Sequence, residues 1–63
     1  MEKELTARQM HDMTEYLHIV NTSFKIANGV TTTVCTYSDG KVIITREGTW
    51  RGEFWQTHHL ANI

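Results

Sequence analysis

Four histidines in a chain of 63 residues are the first place to look for chemistry. His11 and His18 stand seven apart, so a helix would put them on one stripe. His58 and His59 are neighbours near the C-terminus. With Cys35 or Glu15 they supply the imidazole, thiolate and carboxylate donors that zinc takes. The spacing matches no zinc motif, however, and two adjacent histidines aim poorly at one ion. The expectation is solvated histidines, with no metal and no cofactor. Cys35 as a nucleophile would need a base beside it and a lowered pKa. It stands among β-branched residues, where a thiol serves as a small core hydrophobe. Glu47 and Glu53 lie in or beside a turn with no concave site implied, so they make a poor acid–base pair. No nucleophile–base pair is visible, and the chain is expected not to be an enzyme.

A second group of residues suits recognition. Trp50, Trp55 and Tyr37 are interleaved with Lys41, Arg46 and Arg51. Trp, Tyr and Arg are the usual anchors of protein interfaces, which makes Tyr37, Arg51, Glu53 and Trp55 the candidate protein-binding set. Exposed aromatics beside basic groups also stack unpaired bases. The alternative is therefore nucleic-acid contact through Lys41, Arg46, Arg51 and Trp55. Glu47 and Glu53 cancel that charge locally, so the protein partner is favoured. The plainest reading leaves Trp50 and Phe54 as ordinary core.

Bulk properties narrow the field. The formal net charge is −1 with scattered lysines and arginines, which suggests neither a basic nucleic-acid patch nor a polybasic membrane anchor. No apolar run approaches the roughly 20 residues that span a bilayer. The N-terminus lacks a signal-peptide layout, and a lone thiol suits a reducing compartment. The chain reads as cytoplasmic. A single domain of this size hides only about 60% of its unfolded surface. One cysteine forbids an internal disulfide, so self-association is the remaining reinforcement. Short free-standing chains are also typical of accessory genes on phages and other mobile elements.

The elements that must carry these residues are partly marked. Thr6 and Gln9 form a capping box, and Leu5 and Met10 a hydrophobic staple. Met10, Met13, Leu17, Val20 and Phe24 follow at gaps of three and four, the stripe of an amphipathic helix. One reading runs this helix over about 6–28, with Gly29 past its C-cap. The other ends it near 21 and makes residues 24–27 a strand with a hairpin turn at Asn28-Gly29. The unbroken spacing favours the first. Strands rich in valine, isoleucine and threonine are expected at about 30–37, 41–46 and 49–56, joined by turns at Asp39-Gly40 and Glu47-Gly48. That places Trp50 and Phe54 on one face and Arg51, Glu53 and Trp55 on the other. The tail, 57–63, carries no strong signal, with Leu60 and Ile63 either docking on the core or fraying.

The expected architecture is thus α+β. One helix packs on a three-stranded antiparallel meander, or a four-stranded one under the shorter helix. One narrow helix cannot cover such a sheet, so aromatic area should be left for a partner. The expected function is a small protein-binding module, either a homodimer or an accessory inhibitor or adaptor of a larger partner.

Overall fold

A computed structural model describes residues 2–61. The protein is mainly β. Strand β1 (Lys3–Leu5) leads into a short helix α1 (Ala7–Thr14). Four longer strands follow: β2 (Ile19–Ala27), β3 (Val30–Tyr37), β4 (Val42–Trp50) and β5 (Glu53–Leu60). All pair antiparallel in one sheet of order β1-β5-β4-β3-β2. This corrects the α+β expectation of a long helix on three or four strands.

The helix is shorter than expected, and the later residues of its expected span form β2 instead. Its start is as the sequence implies. Thr6 Oγ1 accepts from the Gln9 amide at 3.0 Å, and Gln9 Oε1 accepts from the Thr6 amide at 2.8 Å. It ends at Thr14, well before the weak helix formers Asn21, Thr22 and Ser23. Beyond them Phe24-Lys25-Ile26-Ala27 alternates at a period of two, which is strand spacing. Asn28 and Gly29 then take φ of 53° and 77°, the positive pair that a type I′ hairpin turn requires. The helical reading through Phe24 failed because a gap of four, Val20 to Phe24, fits either periodicity.

A second correction concerns the last hairpin. Glu47 and Gly48 are not a turn but lie within β4, opposite Gln56 and Trp55. The chain reverses instead at Arg51 and Gly52, with φ of 53° and 80°. Trp50 therefore pairs with Glu53, and Phe54 with Thr49. Trp50 and Phe54 fall on opposite faces, contrary to the expectation. The supposed tail is the end of β5, where His58, His59 and Leu60 pair with both β4 and β1. Ile63 lies outside the described residues.

Registers define two faces. The helix-side face carries Leu5, Leu60, His58, Phe54, Ile43, Cys35, Tyr37, Phe24 and Ile26. The far face carries His59, Trp55, Glu53, Ile44, Arg46, Trp50, Val34 and Lys25. The buried apolar core among the described residues is Leu5, Ile43 and Leu60, with Met10, Met13 and Tyr37 packed against it. It sits at the β1–β5–β4 end of the sheet, where α1 touches β1 and β5.

Candidate protein interface

The four residues expected to bind a protein do not form one patch. Tyr37 ends β3 on the helix side, against the core. Burial raises its pKa above the ordinary tyrosine value. The nearby Cys35 adds to the rise, and a hydrogen bond with Thr14 opposes it. Glu53 and Trp55 occupy the far face at the start of β5, the opposite end of the sheet. Arg51 lies in the turn beside them, its guanidinium carbon 5.7 Å from the Trp50 ring centroid, within cation–π range. Arg51, Glu53 and Trp55 are thus neighbours, and Tyr37 stands apart. Trp50 and Phe54, the candidate core pair, are instead exposed at 69% and 64%.

Trp55 is half-buried because its indole lies over Gly48. A Cβ at Gly48 would stand 3.1 Å from Trp55 Cζ2 and 3.0 Å from the Gly29 carbonyl oxygen. The missing side chain makes room for the ring, a device that protects a glycine within a sheet.

The basic residues of the nucleic-acid alternative are spread along β4 and its two ends, and two are engaged. Lys41 Nζ meets Asp39 Oδ2 at 2.7 Å, and the Lys41 amide donates to Asp39 Oδ1 at 3.0 Å. The side-chain hydrogen bond from Lys41 is the main reason that the Asp39 carboxyl is held below the ordinary aspartate range. Arg46 Nη1 lies 3.5 Å from Glu2 Oε1. Glu47 and Glu53 sit on opposite faces, so they make no acid–base pair.

The histidines are not gathered. His58 is buried, its Nδ1 2.9 Å from Thr45 Oγ1 across the β4–β5 pair, which corrects the expectation of solvated tail histidines. His59 Nδ1 is buried without a hydrogen-bond partner, 4.0 Å from Glu2 Oε1. Cys35 is half-buried and accepts from Thr22 Oγ1 at 3.7 Å. Among the described residues, no group of three or more His, Cys, Asp or Glu could hold a metal ion. No helix among them is long and apolar enough to cross a membrane.

The most open surface is one the sequence reading did not single out. All nine residues of β2 are exposed. Phe24 and Ile26 are 68% and 67% accessible, and Ile19 and Val20 are also open. The Phe24–Ala27 alternation before Asn28-Gly29 was the available signal. Comparison with known proteins returns no matching family model, no matching curated protein and no matching solved structure.

Proposed function

We propose that this chain is a small non-enzymatic protein-binding module that works as a homodimer. Its setting would be the cytoplasm, and its role that of an accessory regulator of the phage or mobile-element type. The observation that carries the reading is the imbalance of apolar side chains. Among the described residues, Leu5, Ile43 and Leu60 are the buried hydrophobics. Seven large apolar side chains among those residues are exposed: Tyr16, Ile19, Val20, Phe24, Ile26, Trp50 and Phe54.

Two global measures agree with this imbalance. The molecule exposes 4717 Å², where a monomer of this size averages about 4,200 Å². Its radius of gyration is 12.1 Å, against roughly 10–11 Å for a compact chain of this length. A core this small stabilises a lone chain poorly, and a second copy supplies the missing burial. Nucleic-acid contact is the weaker reading, because Lys41 and Arg46 are already paired with carboxylates. The test is sedimentation velocity at micromolar concentration. The expected species has the mass of two chains. A species with the mass of one chain would overturn the proposal.

A further inference from the structure

We infer that the two copies join along β2, antiparallel and centred on Phe24, to make one continuous sheet across the dimer. This rests on the self-association just proposed and specifies its geometry. Hydrogen-bond parity decides which backbone groups of β2 point away from the sheet. In an antiparallel pair, alternate residues aim their N–H and C=O groups at the neighbouring strand and the rest aim away. The Tyr37 amide donates to the Lys41 carbonyl at 2.8 Å, so Tyr37 faces β4. By alternation Cys35, Thr33 and Thr31 do too. Val30, Thr32 and Val34 then face β2, where they pair with Ala27, Lys25 and Ser23. That leaves the backbone groups of Thr22, Phe24 and Ile26 directed outward from the open edge.

Natural edge strands are protected by brevity, charge, proline or bulges. Strand β2 is nine residues long and holds no proline. Its register shift lies between Ile19 and Asn21, leaving the stretch from Thr22 to Ala27 regular. Its one charge, Lys25, stands on the far face, while Phe24 and Ile26 stand on the helix side. The edge is therefore open to another strand.

The occupant follows from register. Axes at Thr22 or Ile26 match only one outward residue of the regular stretch with another, so three two-fold registers, centred on Ser23, Phe24 and Lys25, match more than one. Centred on Ser23, Ile26 faces the shifted segment at Val20. Centred on Lys25, the two lysines stand opposite each other, which is unfavourable, and Thr22 faces the turn at Asn28. Centred on Phe24, Thr22 pairs with the second copy's Ile26 and Phe24 with its own counterpart. Every outward group of the regular stretch is then met. Lys25 faces the second copy's Ser23, and the Phe24 and Ile26 side chains merge into one apolar stripe. A strand that satisfies itself this fully selects a second copy of this chain as its occupant.

Opposed residues of the close, non-hydrogen-bonded kind lie about 4.5 Å apart at Cα, within the roughly 4.4–6.8 Å that disulfides span. Ser23 and the second copy's Lys25 are such a pair. In a Cys35→Ser background, Ser23→Cys and Lys25→Cys chains are prepared separately, mixed, and oxidised. The mixture is expected to yield several-fold more cross-linked dimer than either chain alone. Self-linking of Ser23→Cys would instead place the axis at Ser23 and overturn the register. Phe24→Pro deletes an outward donor and spares the ladder to β3, and is expected to sediment as a monomer with its sheet signal intact. A native dimer showing neither cross-link, and unaffected by Phe24→Pro, would refute edge pairing while leaving self-association standing. A monomeric parent chain would remove the underlying proposal instead.

Discussion

Gly48 and Trp55 show how much one residue can constrain in a sheet this thin. The indole occupies the space above the glycine, and the Gly29 carbonyl closes the other side. A methyl group at position 48 must displace backbone or a half-buried ring, and neither yields freely. Gly48→Ala is expected to destabilise the fold by about 1–3 kcal/mol, as overpacking does elsewhere. Urea denaturation followed by tryptophan fluorescence measures it, and an unchanged midpoint would show that the ring moves aside without penalty. Trp55 had suggested itself as an interface anchor by residue type. Its contact with Gly48 gives it a structural task that residue type alone does not reveal.

At the level of elements, the strongest local signals translated directly. The Thr6–Gln9 capping box is present, and α1 begins where it should. Thr6→Ala removes one of its two hydrogen bonds and is expected to lower stability by about 1 kcal/mol. The same denaturation experiment reads it, and no loss would mean that α1 melts independently of the sheet. The core of the meander was equally legible, because Val30–Tyr37 and the β-branched run after Lys41 suit no other element. Two things were hidden. The Val20–Phe24 gap serves both a helix and a strand, and Gly29 suits a helix C-cap as well as a hairpin turn. Glu47-Gly48 resembled a turn because glycine usually marks one, whereas this glycine accommodates an indole across the strand. Reading that turn four residues further on, at Arg51-Gly52, would have separated Trp50 from Phe54 and joined His58 and Leu60 to the core. Of the candidate interface, Glu53 and Trp55 share a face as their alternation implied, while Arg51, expected on that face of the same strand, lies in the turn. The separation of Tyr37 was not visible in the sequence, because it depends on which end of the sheet each strand reaches.

For the whole molecule the governing quantity is how little the lone chain buries. If two copies complete one fold, stability depends on how many chains are present. The melting temperature is expected to rise with protein concentration, because association removes folded chain from the equilibrium with unfolded chain. Calorimetry across a hundredfold dilution series checks this, and a melting temperature independent of concentration would point to a self-sufficient monomer. Placing β1 beside β5 brings the two ends of the described chain together, with Lys3 opposite Leu60. The core forms at this junction, which leaves the β2 margin as the exposed end of the sheet.

The unequal length of the two outermost strands has a consequence for growth. Strand β1 spans three residues and β2 nine, so one border is blunt and the other long. A long border that mates with its own image is used up in doing so. The other border is stepped: β1 covers only His58–Leu60 of β5 before the chain turns into α1, so it presents no unbroken template to recruit a third chain. Assembly should therefore terminate at a pair, and a sheet that looks ready to propagate into a filament is self-limiting.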